Sequence, residues 1–233
     1  MSERGHADGD ARGAGRRGHA YAYLLGPVEK GAGLRQQFLG DGLYDSGSTG
    51  GVRSGIVALS MTNSQVFLRA ARLDDVDSIT DLHTLARTAY YRAGGVSEVE
   101  LTSLDARDSR REPWTRAVQA DDRTVLCAHR GDEIVGVLAM GPPHDADVDV
   151  TSVGQLHQIH VCPGLWGQGI GDRLHAAFVQ FLRDASLREG VLEAWERNSR
   201  AQAFYAGRGW KPDGHHRPGP GGARYVRMRL NAR

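Results

Sequence analysis

Two spacings of apolar residues alternate along the chain from about residue 65 onward, and they predict helices and strands in turn. A first helix carries apolar residues three and four positions apart on one face: Ile79, Leu82, Ala86, Ala89 and Tyr90. Asp74 and Asp75 open this helix, where carboxylates suit the positive end of the helix dipole, and Gly94-Gly95 ends it. A long helix after residue 171 carries a similar stripe: Leu174, Phe178, Phe181, Leu182 and Ala185.

Short apolar runs predict strands at about 66–70, 123–130, 133–141, 153–161, 191–195 and 223–230. Gly131-Asp132, between the second and third runs, indicates a hairpin. A helical region at 97–119, interrupted near Pro113, and a short helix at 198–207 complete the pattern. Because the second half runs strand, helix, strand, it implies a right-handed crossover and a parallel strand pair. We therefore predict an α/β protein with an α+β mixed sheet flanked by helices.

Composition divides the chain near residue 60. Residues 1–60 hold 14 of the 31 glycines and show no sustained periodicity, so this stretch buries too little apolar surface to repay its ordering entropy. We predict a low-complexity, disordered leader over 1–60, or alternatively sequence upstream of a true start at Met61. Residues 61–233 are predicted to form a single domain.

Charge and cysteine content exclude several classes of partner. Lys and Arg number 29 against 28 Asp and Glu, so no basic field attracts nucleic acid. Cys127 and Cys162 are too few for a disulfide framework or a zinc site, and His215-His216 lack ligands at suitable spacing. No apolar run approaches the roughly 20 residues that cross a bilayer. We expect a soluble, cytoplasmic protein without metal, nucleic-acid or membrane partners.

The turn between the 153–161 strand and the long helix carries the clearest chemistry. Gly167, Gly169 and Gly171 allow successive backbone N–H groups to point at one place, where the helix dipole adds positive potential. This arrangement predicts an anion site suited to a pyrophosphate. No lysine follows as in a nucleotide P-loop, and Asp172 stands where a dinucleotide fingerprint needs glycine. A glycine-rich connector without a ligand is the alternative interpretation.

Two motifs resemble those of the GNAT superfamily of N-acetyltransferases. The run 166–171, Trp-Gly-Gln-Gly-Ile-Gly, resembles the acetyl-CoA-binding signature Gln/Arg-x-x-Gly-x-Gly/Ala, from which Trp166 departs at the first position. The run 198–210 resembles the family's second stretch, Asn-x-x-Ala-x-x-Phe-Tyr-x-x-x-Gly-Phe. The resemblance covers about 66–230 and implies a six- to seven-stranded mixed sheet with splayed fourth and fifth strands. It also implies acetyl-CoA as the acyl-donor cosubstrate, an amine acceptor, and a homodimer as one common assembly.

The resemblance assigns roles to particular residues. Pantetheine would contact the fourth strand at Ile159, His160 and Val161. Pyrophosphate would lie on Gly167, Gln168, Gly169, Ile170, Gly171 and Asp172, and Asn198 would be a further cofactor contact. Tyr205 would protonate the departing CoA thiolate, with simple packing as the alternative. Family geometry also places Tyr90, Tyr91 and Arg92 near the acceptor entrance and 213–222 as a flexible loop beside it.

Acetylation of an amine near neutral pH requires a proton acceptor. A lysine-like amine has a pKa of about 10.4, so its neutral form costs roughly 4–5 kcal/mol at pH 7. Many relatives place a glutamate on the fourth strand, where this chain has Gln155. With strand alternation, Gln155 and His157 share a face while the His160 side chain points to the other and is packed or surface-facing. His157 is therefore the leading base or water-positioning residue, a structural histidine is the alternative, and Glu193 and Glu196 are second choices.

Two functions are compatible with these residues. The first is an N-acetyltransferase in which the amine attacks the thioester directly in a ternary complex. The second is a catalytically weak acyl-CoA-binding regulatory module of the same fold, suggested by the missing glutamate and by Trp166.

Overall fold

The structure, a computed structural model, describes residues 65–104 and 107–232. The leader predicted over 1–60 and the alternative start at Met61 lie outside the described residues. The strands are β1 Phe67–Ala70, β2 Thr124–Arg130, β3 Glu133–Gly141, β4 Val153–Val161, β5 Glu189–Trp195, β6 Lys211–Pro218 and β7 Arg224–Asn231. The helices are α1 Val76–Ala93, α2 Glu98–Leu104, α3 Arg107–Gln119, α4 Ile170–Asp184 and α5 Ser199–Ala206.

Seven strands form one mixed sheet in the order β1-β2-β3-β4-β5-β7-β6. Neighbouring strands run antiparallel except β4 and β5, which are parallel and are joined through α4. A parallel pair needs a crossover connection, and α4 supplies it. The mixed sheet with flanking helices predicted from the apolar pattern is confirmed.

Alternation along β3 separates two core layers. Leu138 and Met140 pack in a cluster with Leu174, Phe178 and Leu182 of α4. Val137 and Ala139, on the other face of β3, pack with Ile79 and Leu82 of α1 and with Trp114 of α3. The period of two in the strand and the period of 3.6 in the helices thus place α4 on one face of the sheet and α1 with α3 on the other.

The parallel pairing of β4 and β5 is short. It consists of Val153 opposite Glu189, Gly154 opposite Gly190 and Gln155 opposite Val191, after which the two strands diverge. A Cβ at Gly154 would lie 2.6 Å from the Leu182 side chain, and one at Gly190 would lie 2.9 Å from Phe178. Glycine at these two positions therefore lets α4 lie close against the paired part of the strands, while their carboxyl ends splay apart.

Two predicted element boundaries were wrong. Pro113 lies inside α3, and the break in the helical region separates α2, ending at Leu104, from α3, beginning at Arg107. Proline removes one backbone hydrogen bond, but the neighbouring Trp114 is buried, and its packing holds the helix together. The predicted loop over 213–222 is largely strand β6, because pairing with β7 satisfies its backbone and an edge strand tolerates proline.

Within the described part of the chain, no helix is both long and apolar enough to cross a membrane.

Candidate active site

A cleft opens where β4 and β5 diverge. It is lined by residues 155–160 of β4 and 193–195 of β5, together with side chains from α1, α5, β6 and β7. His144, from the connection between β3 and β4, also lines it. Residues that are far apart in the sequence therefore surround one opening, and we refer to this opening as the cleft.

Backbone groups of β4 face the cleft without a strand partner. The Cys162 N–H donates to the Val135 carbonyl at 2.9 Å. At this end of β4, the backbone N–H and C=O groups of every second residue therefore point toward β3. By alternation the backbone of His160 also faces β3, and that of Ile159 and Val161 faces the splay. Pairing with β5 stops at Gln155. Ile159 thus offers its N–H and C=O groups to an extended ligand and Val161 offers its N–H, since the Val161 carbonyl already accepts from the Trp166 indole, whereas any contact from His160 would have to come from its ring.

The glycine-rich turn leads from β4 to the N-terminus of α4. Gly167 and Gly169 have φ of 81° and 79°, a left-handed conformation that favours glycine. A Cβ at either position would meet no atom within 4 Å, so the space in front of the turn is open. Gly169 is the N-cap of α4, whose first residue is Ile170. Free N–H groups and the helix dipole make this end suited to an anion.

Side chains around the turn are held by partners from other elements. The Gln168 amide oxygen accepts from Arg130 at 2.9 Å, and Asp172 pairs with Arg208 in the turn after α5. Gly171 lies against Phe204, where a Cβ would be 3.3 Å from the ring. Asp172 places a negative charge in the first turn of α4, and the Arg208 guanidinium offsets that charge.

Trp166, which departs from the family signature, fixes the turn to β4. Its indole Nε1 donates to the Val161 carbonyl at 2.9 Å. The Arg200 guanidinium lies 4.7 Å from the centroid of its ring, within the range of a cation–π contact. A large aromatic residue at this position therefore joins β4, the turn and α5, a role that its sequence position alone did not indicate.

Tyr205 and Asn198 belong to α5 and its N-cap. The Tyr205 ring is buried against Phe204 and Trp210, and burial raises the pKa of its hydroxyl, which is therefore protonated at neutral pH. The Asn198 side-chain oxygen accepts from the Ala201 N–H at 3.1 Å, as an N-cap does. Both residues line the cleft, so helix capping by Asn198 positions the segment that carries Tyr205.

A β-bulge in β4 changes the faces predicted for its histidines. Gln158 pairs with Ala139 and Leu156 pairs with Met140, which leaves His157 as an extra residue. Leu156 packs toward α4, but the His160 ring stacks on His83 of α1 at 4.2 Å. The prediction that His160 points away from the face of Gln155 was wrong. The extra residue shifts the alternation, so that Gln155 opposite Gly141 and His160 opposite Val137 lie on the same face of the sheet.

His157 lies between a guanidinium and a carbonyl. Its Nε2 contacts Nη1 of Arg123 and lies 3.0 Å from the Pro142 carbonyl oxygen. Burial, reinforced by Arg123 and His144, holds the pKa of His157 well below its usual range. The ring is therefore neutral near pH 7. Nε2 cannot both accept from the Arg123 guanidinium and donate to the Pro142 carbonyl, so the tautomer decides which of the two it bonds.

His83 and His160 are two further histidines whose rings are neutral near pH 7. The Trp114 indole donates to Nδ1 of His83 at 3.0 Å, and Nε2 of His160 lies 2.7 Å from the Gln158 amide oxygen. Burial, with smaller effects of Arg87 and Arg110, lowers the pKa of His160 to about 3. Sequence analysis missed His83, although its position four residues after Ile79 places it on the buried face of α1.

The far wall of the cleft carries an ion pair and aromatic rings. Glu193 accepts from Nε of Arg217 at 2.7 Å, and the Arg217 guanidinium lies 4.0 Å from the Tyr225 ring centroid. Tyr90 also lines the cleft. By contrast, Glu196 pairs with Arg224, and Arg92 pairs with Glu98 in an exposed bridge. Of the two glutamates considered from the sequence, the structure places Glu193 in the cleft.

Gln155 stands where relatives carry a glutamate, and its amide is already used. It is buried, and its Oε1 accepts from the His144 backbone N–H at 3.0 Å. The glutamine side chain thereby anchors the connection between β3 and β4 to the wall of the cleft.

Comparisons with known proteins agree with this geometry. The sequence model described as "Acetyltransferase (GNAT) family" matches residues 79–210. N-acetyltransferase 8B of Mus musculus is 33% identical over 89 residues, a match that spans 38% of this chain and 38% of the length of that relative.

Solved structures share the fold at low identity. The PaiA N-acetyltransferase from Thermoplasma acidophilum, in complex with coenzyme A, superposes with a TM-score of 0.59 at 16% identity, over 72% of this chain and 99% of that one. The yncA protein from Salmonella typhimurium, with its cofactor acetyl-CoA, gives a TM-score of 0.55 at 16% identity, over 73% and 95% of the two chains.

Proposed function

Because the chain belongs to the acetyltransferase (GNAT) family, we propose that it is an N-acetyltransferase that transfers the acetyl group of acetyl-CoA to an amine. The observation that carries the proposal is the continuous path from the unpaired backbone of Ile159 and the N–H of Val161 to the turn at Gly167 and Gly169. An extended arm on the strand and a pyrophosphate on the turn would fit this path.

The residues present suit acetyl-CoA as a cosubstrate. Ile159 and Val161 would hold the pantetheine amides, with His160 contributing only through its ring. Backbone N–H groups of residues 167–172 would hold the pyrophosphate, where the dipole of α4 favours an anion. Asn198 would keep α5 at the reacting end through its cap.

Bound in this way, acetyl-CoA would supply a thioester, and in the proposed ternary complex the amine attacks it directly. A bond forms between the amine nitrogen and the carbonyl carbon, the carbon–sulfur bond breaks, and sulfur leaves with the electron pair. The Tyr205 hydroxyl gives its proton to that sulfur and regains one from the product nitrogen through water. The net products are the amide, the CoA thiol and one proton from the original ammonium.

His157 would act by positioning water in the cleft. Its neutral ring and its contact with Arg123 suit a group that orients a water molecule. Contacts with Arg123 and with the Pro142 carbonyl occupy Nε2 of this ring.

A catalytically weak acyl-CoA-binding module is the second candidate function. The observations that favour it are the amide of Gln155 in place of a carboxylate and the guanidinium on Nε2 of His157. Such a module would bind acetyl-CoA on the same path without acceptor-dependent turnover.

A thiol-release assay with purified full-length chain separates these functions. We expect calorimetry to record acetyl-CoA binding and at least one member of an amine panel to increase free thiol well above hydrolysis. Binding without amine-dependent thiol would favour the module. Folded protein that fails to bind acetyl-CoA or CoA would contradict both functions.

A further inference from the structure

The connection between β3 and β4 brings a fourth histidine to the cleft. His144 lines the cleft beside Gln155 and His157, and its ring centroid lies 6.0 Å from that of His157. The Gln155 amide oxygen fixes its backbone N–H at 3.0 Å. Because Gln155 is buried in β4, this bond ties the position of His144 to the sheet rather than to an exposed loop.

A carboxylate orients the His144 ring. Nε2 of His144 lies 3.3 Å from Oδ1 of Asp145. Oδ2 of the same carboxylate lies 3.3 Å from Nη1 of Arg227, whose side chain is only 4% exposed and also bonds Asp213 at 2.8 Å. A carboxylate beside Nε2 favours the tautomer with its proton there, which leaves the lone pair on Nδ1.

The lone pair on Nδ1 has no partner. Among residues 65–104 and 107–232, no group hydrogen-bonds this buried nitrogen. The other cleft histidines differ, since Arg123 faces Nε2 of His157 and Trp114 donates to Nδ1 of His83. His160 places its Nε2 against Gln158. Only His144 among these four combines a carboxylate on one ring nitrogen with an unpartnered second nitrogen.

We propose that His144 is the proton acceptor of the reaction and that Asp145 is its positioning residue. This inference rests on the proposed acetyl transfer. Because Nδ1 of His144 is buried, the acceptor ammonium gives its proton to this nitrogen directly rather than through cleft water, and the neutral amine keeps the electron pair that attacks the thioester. The imidazolium then returns that proton to solvent, which accounts for the one proton released per turnover.

The charges around His144 both assist and oppose this step. Asp145 on the same connection favours the imidazolium, whereas Arg227 from β7 and Arg123 beyond His157 oppose it. Asp213 of β6 and Asp147 pair with Arg227 and reduce its effect. Removal of the Asp145 carboxylate should therefore lower kcat while acetyl-CoA affinity is unchanged.

The test compares His144→Gln, His157→Gln and Asp145→Asn with the wild-type full chain, using His216→Gln as a matched control. His216 is exposed on β6, and its ring contacts only the Gly214 carbonyl at 3.4 Å. Each variant is first checked for folding by circular dichroism and for acetyl-CoA affinity by calorimetry. Turnover is then measured from pH 5 to pH 10 with saturating acetyl-CoA and an amine found active in the thiol assay.

We expect His144→Gln to lower kcat by about 10²- to 10⁴-fold, with acetyl-CoA affinity unchanged. Added imidazole should partly restore His144→Ala but should not restore Asp145→Asn, and His216→Gln should match wild type. A folded His144→Gln that keeps the wild-type rate would overturn the inference while the proposed function stands. A wild-type chain that releases no thiol with any amine would contradict both.

Discussion

Side chains at the reacting end of the cleft differ in how firmly their protonation is fixed. Burial raises the pKa of Tyr205 and lowers that of His157, so one hydroxyl remains a donor and one ring remains neutral across the neutral range. These are the forms in which Tyr205 would donate a proton and His157 would orient water in the proposed reaction. At this scale, Tyr205 is the most direct test of chemistry as opposed to packing.

Tyr205→Phe removes the hydroxyl but keeps a ring that packs against Phe204 and Trp210. We expect kcat to fall by about 10²-fold, the usual contribution of one proton transfer, with little change in acetyl-CoA affinity or melting temperature. Steady-state thiol release and calorimetry measure the two quantities. An unchanged kcat would leave Tyr205 a packing residue.

Among the elements, α4 and the turn before it are the best candidates for coenzyme binding. The turn adopts left-handed φ at Gly167 and Gly169, and Trp166 ties it to the end of β4. Both features hold the backbone N–H groups in one orientation. A substitution that strains the turn should therefore impair binding more than it impairs folding.

Gly169→Ala places a Cβ on a residue with φ of 79°, at a strain of about 1–2 kcal/mol. We expect acetyl-CoA affinity to fall by roughly 10-fold or more, since a shifted turn misaligns the N–H groups. Gly214→Ala is the matched control, because Gly214 has φ of 92°, lies in β6, and has no atom within 4 Å of an added Cβ. Equal affinity losses in the two variants would show that the turn has no special role.

At the scale of the whole molecule, the neutral histidines His83 and His160 line the cleft and also hold α1 against the sheet. The His83–His160 stack connects helix α1 to strand β4 of the sheet. The Trp114 indole of α3 donates to Nδ1 of His83 in the same stack. Protonation of either ring would place a cation in a buried site near Arg87 and Arg110. The assembly of the sheet and its α1 layer is thus coupled to pH.

Acid should destabilise the fold in a window set by His160. Its folded pKa is about 3, whereas the unfolded chain binds the proton near pH 6.5. The contribution of His160 to the free energy of unfolding is therefore complete above pH 6.5 and is lost progressively as the pH falls toward 3. Between pH 7.5 and 4.5 this one group accounts for about 3 kcal/mol of unfolding free energy.

Urea unfolding at a series of pH values measures this dependence. His160→Gln should flatten the fall in unfolding free energy below pH 6.5, whatever its effect at pH 7.5, and His216→Gln should not. Parallel curves for wild type and His160→Gln would rule out His160 as the titrating group.

The sequence by itself determined most of the elements and the glycine-rich turn before α4. The stripe from Leu174 to Leu182, the hairpin at Gly131-Asp132 and the glycines at 167 and 169 act through their immediate neighbours, so local periodicity and backbone freedom sufficed to predict them. The faces of β4 were different. One extra residue at His157 reversed the side to which His160 points, and such a bulge depends on how β3 pairs with β4, which no local pattern records.

Tertiary structure alone decided the partners of the cleft side chains. Arg123 reaches His157 across 34 residues, and Arg227 reaches Asp145 across 82. Gln155 binds a backbone N–H in the preceding connection. Since the protonation of an imidazole depends on the burial and charge that surround it, the choice among the four cleft histidines followed only once the folded chain had brought those partners together.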